Sequence, residues 1–172
     1  MKSTSVLLFV FLLYFKCDSR DMITSRNILS NKRKTLVSAG QIFELGLFNK
    51  RSKDGEIRNY VGIWYQESPE TIVWVANRDK PIPISGEILA IDIDVDGNLK
   101  VLDSTSNSYF STGLVSASSF KRTAKLYDSG NLVLIDDLSG KRLWQSFNNP
   151  TDTFLPGMNM NNAFKLSYRK KI

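Results

Sequence analysis

The stretch Gly97-Asn98-Leu99-Lys100-Val101-Leu102-Asp103 returns 33 residues later as Gly130-Asn131-Leu132-Val133-Leu134-Ile135-Asp136. Each copy opens on a glycine that tolerates the positive φ of a tight turn, then runs as a short apolar segment closed by aspartate. One large aromatic keeps step with this repeat: Trp74, Phe110 and Trp144 stand 36 and then 34 residues apart. A period near 35 with one aromatic per unit implies sheets that cannot bury their inner faces alone and close on a shared core. Three such units about a pseudo-threefold axis fit the chain, with these aromatics in the core, and a propeller would need more.

Outward from the repeat, short apolar or alternating runs fill residues 42–48, 60–65, 72–76, 88–93, 99–102, 132–135 and 143–147. They are rich in Ile, Val, Tyr, Phe and Trp and have the length of strands. Asp54-Gly55, Asp96-Gly97, Ser129-Gly130 and Ser139-Gly140 punctuate them as turn pairs. No long window carries a capped 3.6-residue apolar period, so the fold class is all-β.

The N-terminus reads as a leader. Lys2 supplies a positive charge, residues 6–15 are unbroken apolar sequence, and Cys17 and Ser19 place small residues before a cleavage point. Ten apolar residues are half of the roughly 20 that a membrane span needs. Residues 1–19 are therefore expected to be a cleaved signal peptide delivering a secreted, extracellular (apoplastic) protein, with no transmembrane segment in the mature chain. Cleavage removes Lys2, Lys16 and Asp18 and takes the net charge from +6 to +5. It also removes Cys17, the single cysteine, so no disulfide is available. Asn149 is followed by Pro150, which blocks its sequon, and no other asparagine forms one.

Charge clusters at Lys32, Arg33 and Lys34, at Lys50, Arg51 and Lys53, and at Arg169, Lys170 and Lys171. Such runs are solvated loops or tails, and in a secreted protein they suit an acidic polysaccharide or membrane surface better than nucleic acid, for which no module is present. Enzymatic function has little footing. The chain has no histidine, no Gly-x-Ser-x-Gly elbow and no phosphate-binding loop, and no pair of carboxylates can be placed at glycosidase spacing. No cofactor is expected. Asp92, Asp94, Asp96, Gly97 and Asp103 have the spacing of a calcium loop, but such a loop needs flanking helices and the flanks here read as strands. In a strand those aspartates form a solvated acidic edge backed by a buried row of Ile91, Ile93 and Val95. No metal is expected.

Taken together, Leu36-Val37-Ser38-Ala39-Gly40, Phe43-Glu44-Leu45-Gly46-Leu47-Phe48, Tyr60-Val61-Gly62-Ile63-Trp64-Tyr65, Val73-Trp74-Val75-Ala76-Asn77-Arg78-Asp79, Asp128-Ser129-Gly130-Asn131-Leu132-Val133-Leu134 and Trp144-Gln145-Ser146-Phe147, followed by Pro150-Thr151-Asp152-Thr153 and Leu155-Pro156-Gly157-Met158, resemble the bulb-type (mannose-binding-type) lectin domain of plant S-locus glycoproteins and G-type lectin receptor-like kinases. The resemblance implies a β-prism of three four-stranded sheets with pseudo-threefold symmetry and a non-catalytic ectodomain. It assigns residues 20–34 to a lead-in, 35–158 to the lectin domain and 159–172 to a basic tail. Whole receptors of the family continue into a membrane span and a kinase, so the chain is expected to be a lectin-domain-only form.

Sugar-binding relatives carry the row QxDxNxVxY on one strand of each unit. Gln, Asp and Asn there offer fixed donors and acceptors to adjacent hydroxyls, Val packs on the ring, and Tyr adds a hydroxyl. The second unit reads Asp94, Asp96, Asn98, Lys100, Leu102 at those places, the third Tyr127, Ser129, Asn131, Val133, Ile135, and the first has no convincing copy. Asp94, Asp96, Asn98, Asn131 and Val133 are the degenerate carbohydrate-binding candidates. Asn98 and Asn131 also suit a structural role, a short amide after a turn glycine bonding its own backbone. The expected partners are mannose-type or other glycans, held weakly. The alternative is a receptor or a second copy engaged through sheet edges.

Overall fold

A computed structural model describes residues 21–25, 29–30, 35–52, 54–83, 88–115 and 121–159. The leader at 1–19, the basic residues Lys32–Lys34, Lys53 and Arg169–Lys171, and nearly all of the tail lie outside the described residues.

Thirteen strands and one short 3-10 turn (Ser146–Asn148) make up the described secondary structure. The strands are β1 (Met22–Thr24), β2 (Leu29–Ser30), β3 (Thr35–Val37), β4 (Phe43–Arg51), β5 (Ile57–Tyr65), β6 (Ser68–Val75), β7 (Ile82–Pro83), β8 (Ile88–Ile93), β9 (Leu99–Asp103), β10 (Ser108–Ser111), β11 (Arg122–Leu126), β12 (Leu132–Asp136) and β13 (Arg142–Gln145). They form three antiparallel sheets, ordered β3-β4-β5-β6, β10-β9-β8-β2 and β1-β11-β12-β13. This is the β-prism, with one elaboration: β7 pairs with β5 at Arg58 and Asn59, where β6 has left that edge. β1 and β2 lie in the stretch expected as a lead-in, and each is the outer strand of a sheet.

Alternation builds the core. Phe43 and Leu45 of β4, Val61 and Ile63 of β5, Leu99 and Val101 of β9, and Leu132 and Leu134 of β12 point inward and are buried in one cluster. Trp74, Phe110 and Trp144, one from each sheet, meet edge-to-face at centroid separations of 5.6, 5.7 and 5.8 Å. That geometry satisfies the ring quadrupoles and lets one aromatic per sheet plug the axis.

The turns that open the second and third units are the same turn, and the first unit has a longer variant of it. Asp94 N–H donates to Asn98 O and Gly97 N–H to Asp94 O, and Tyr127, Asn131 and Gly130 repeat the pattern. In the first sheet Ser38 N–H donates to Phe43 O and Gln41 N–H to Ser38 O, a turn one residue longer, with Gln41 at φ 57° where the others have glycine at 74° and 84°. One expectation fails at the second copy. The chain leaves the strand after Ile93, so Val95 sits at the turn tip, 86% exposed, and Ile91 and Ile93 alone remain buried.

The segment after β13 is a clasp along β6. Trp74 Nε1 donates to Asn149 O at 2.9 Å, Val75 N–H to Thr151 Oγ1 at 2.7 Å, and Thr153 N–H to Val73 O at 3.1 Å. Asp152 faces Arg78 at 3.9 Å. Among the described residues no helix is long and apolar enough to cross a membrane.

Candidate functional site

On the second sheet the turn at Asp94–Asn98 and the first residues of β9 bring the degenerate row together. Asp94 Oδ1 accepts the Val95 N–H at 2.7 Å and Asp96 Oδ1 the Asn98 N–H at 2.9 Å, so each carboxylate is fixed by the turn itself. Their other oxygens converge on one cation. Lys100 Nζ lies 2.7 Å from Asp94 Oδ2 and 2.6 Å from Asp96 Oδ2. The Lys100 ammonium, and after it the Val95 N–H, holds the Asp94 carboxyl below its ordinary value. Partial burial pushes Asp96 up, but Lys100 and the Asn98 N–H outweigh it and the net shift is downward. The two carboxylates in turn raise Lys100. Asp92, opposite Lys100 across β8 and β9, goes the other way: burial raises it, Asp94 adds to that, and its Oδ1 is buried with no hydrogen-bond partner among the described residues. Both carboxylates of the row are thus engaged by an internal ammonium. Strands flank the loop that has the calcium spacing, and Asp103 is turned to the next turn.

Asn98 is a joint. Its Oδ1 accepts the Leu114 N–H at 2.7 Å and the Thr112 hydroxyl at 2.8 Å, while that hydroxyl oxygen accepts the Leu99 N–H at 3.2 Å. Asn131 repeats it in the third unit: Oδ1 accepts the Phe147 N–H and the Ser146 hydroxyl, each at 3.2 Å, and the Ser146 oxygen accepts the Leu132 N–H at 3.0 Å. Both amides therefore tie the central strand of a sheet to the chain beyond its neighbour, and neither bonds its own backbone as the sequence suggested. Asn131 Nδ2 is also committed, to Gln145 Oε1 at 3.1 Å. Val133 is 1% exposed and offers no surface to a ring. Tyr127, in the place of the family's Gln, lies under the Lys125 ammonium at 5.5 Å.

The first sheet has no carboxylate of its own at its turn, and its asparagine joint is reversed: Asn77, beyond β6, accepts the Val61 N–H of β5 at 2.8 Å and donates to Asn59 O at 3.2 Å. Its outer face carries aromatics instead, which the spacing of a single-strand motif could not reveal. Phe48 stacks on Tyr60 at 5.4 Å and meets Trp64 edge-on at 6.2 Å. Trp64 Nε1 donates to Glu44 Oε2 at 3.1 Å.

A family model described as D-mannose binding lectin matches residues 71–172. The G-type lectin S-receptor-like serine/threonine-protein kinase At4g03230 of Arabidopsis thaliana is 45% identical over 175 residues, covering 95% of this chain and 20% of the kinase. The kinase RKS1 of the same type and organism is 44% identical over 165 residues, covering 93% and 19%. A putative inactive G-type lectin S-receptor-like kinase, SRK, also from Arabidopsis thaliana, is 40% identical over 176 residues, covering 95% and 31%. This chain thus spans about a fifth to a third of the length of these three relatives. Among solved structures the Japanese Marasmius oreades lectin superposes with a TM-score of 0.52 over 73% of this chain and 89% of that one, at 14% identity, a likeness of fold alone.

Proposed function

This chain belongs to the D-mannose binding lectin family, and from that premise we propose that it is a secreted, non-catalytic recognition module whose mannose sites have decayed. The observation that carries the proposal is the Lys100 ammonium seated between Asp94 and Asp96. A mannose hydroxyl entering that row must displace a charge-assisted contact, and the Gln, Val and Tyr that would repay it are absent. Each missing neutral hydrogen bond withholds about 1 kcal/mol from a site that is weak to begin with. In the third unit the buried Val133 and the committed Asn131 withhold the rest. Residues 1–19 act as the cleaved leader, residues 35–158 form the lectin domain with β1 and β2 completing two sheets, and residues 159–172 are the basic tail.

Isothermal titration of the secreted chain with methyl α-mannoside is expected to give no binding heat at millimolar ligand. A dissociation constant below about 1 mM that Asp94→Ala abolishes would overturn the decay. A second reading, recognition of a receptor or of another copy without sugar, draws on Val95, Val115 and Leu138, apolar side chains exposed at loops. A blank glycan array beside a dimer in size exclusion would favour it.

A further inference from the structure

The clasp along β6 is closed by a turn at Leu155-Pro156-Gly157-Met158. Proline and glycine take its middle places, Gly157 at φ 90°, and the Met158 N–H donates to Leu155 O at 3.1 Å. A second closure runs the other way. The Met158 side chain folds back, and its Sδ accepts the Leu155 N–H at 3.3 Å. The sulfur therefore serves the turn as a hydrogen-bond acceptor as well as a packing atom.

This turn anchors the clasp to the core. Leu155 is buried in the main apolar cluster, and its Cδ1 stands 2.8 Å from the place a Cβ on Gly130 would take. Met158 packs against the same cluster but is only partly buried, between the exposed Gly157 and Asn159, within reach of a small solute. Upstream, the clasp takes up backbone groups of β6, the last strand of its sheet. Thr153 N–H donates to Val73 O and its hydroxyl to Ile72 O, while Thr151 Oγ1 accepts the Val75 N–H. Releasing the clasp leaves that strand edge open.

We infer that Met158 is an oxidation-sensitive latch on the clasp, and that hydrogen peroxide is the oxidant it answers to. The sulfur lone pair attacks one peroxide oxygen, the S–O bond forms and the O–O bond breaks. The departing hydroxide takes the proton from the transferred oxygen and leaves as water, so the thioether is oxidised by two electrons to a sulfoxide and the peroxide is reduced. Sulfoxide sulfur carries a positive partial charge. Turned toward the Leu155 N–H, the added oxygen overlaps it at the present spacing; turned away, it leaves a positive sulfur facing a donor. Either placement breaks the second closure, and the latch works with or without a sugar bound elsewhere.

Peroxide treatment of the secreted chain, with peptide mass spectrometry to locate the added oxygen, tests this. Oxidation of Met158 is expected to lower Tm by about 3–6 °C and to speed amide exchange at Val75 about tenfold, and methionine sulfoxide reductases should restore both. Met158→Leu, which retains Met22 and Met160, should show neither change on peroxide treatment. If that variant does not fold, Met22→Leu and Met160→Leu take its place, and each must keep the full response. Unchanged Tm and exchange with Met158 fully converted overturn the latch. So does a response that persists in Met158→Leu or disappears in Met22→Leu or Met160→Leu, and so does a Met158 that resists peroxide while Met22 is oxidised.

Discussion

At the scale of single residues, the two repeated motifs make close structural contacts. Gly130 shows how tightly. It sits at φ 84°, and a Cβ there would stand 2.8 Å from Leu155 Cδ1 and 3.0 Å from the Phe43 ring. Backbone and packing both demand glycine, so Gly130→Ala should cost about 2–4 kcal/mol. Gly55 has the same handedness, φ 85°, but open space around it, and Gly55→Ala should cost only about 1 kcal/mol. Urea denaturation of the two variants checks the difference, and equal losses would show that packing against Leu155 and Phe43 contributes nothing. The same scale explains why the third turn was hidden. Gly97 and Gly130 announce positive φ in the sequence, whereas the first sheet puts Gln41 there, at φ 57°. Nothing in that side chain advertises a left-handed backbone.

At the scale of elements, Asp103 and Asp136 end β9 and β12 and organise the turns that follow. Asp103 accepts from the Thr105 and Asn107 backbone N–H groups, both at 2.9 Å, and from the side chains of Thr105, Asn107 and Tyr109. Burial pushes its carboxyl up, but the donors of Thr105 and Asn107 prevail and leave it far below the ordinary carboxylate range. Asp136 is lowered chiefly by the N–H and hydroxyl of Ser139. A carboxyl depressed in the folded state stabilises fully above its unfolded value of about 3.9, and that contribution is lost as pH falls from there toward the folded value. Asp103→Asn should therefore lower Tm at pH 7, and the gap from the parent protein should narrow as pH is taken down to about 3. A gap constant over that range in thermal melts would mean the charge is irrelevant to the turn. The element scale also separates what was readable. The long runs of β5 and β8 and the Gly-Asn-Leu starts of β9 and β12 follow from alternation and turn chemistry. β1 and β2 are three and two residues long, too short for any period. β11 disguises its inward face, because Arg122 is buried there beside Ala124 and Leu126. The Lys100 contacts needed the turn's geometry to bring positions 94, 96 and 100 together, so they were not legible along the strand.

At the scale of the whole molecule, the three units are joined in a ring. Gly40 N–H of the first donates to Asp128 of the third at 2.7 Å, Arg122 of the third reaches Gly97 O of the second, and Lys80 of the first donates to Ser108 O of the second at 2.8 Å. The Trp74–Phe110–Trp144 contact closes the ring at the axis, and because each ring belongs to a different sheet, its loss is felt by all three. Phe110 and Trp144 are only partly buried, so truncating either to alanine should cost less than a fully buried aromatic, about 2–3 kcal/mol. Once one is gone the other has lost an edge-to-face partner. The double variant Phe110→Ala/Trp144→Ala should therefore fall short of the sum of the singles by about 0.5–1.5 kcal/mol. Chemical denaturation of the four proteins in the cycle measures that coupling directly. Strict additivity would mean that the axis is only a place where three sheets happen to end, and that the hydrogen bonds between units hold the prism closed by themselves.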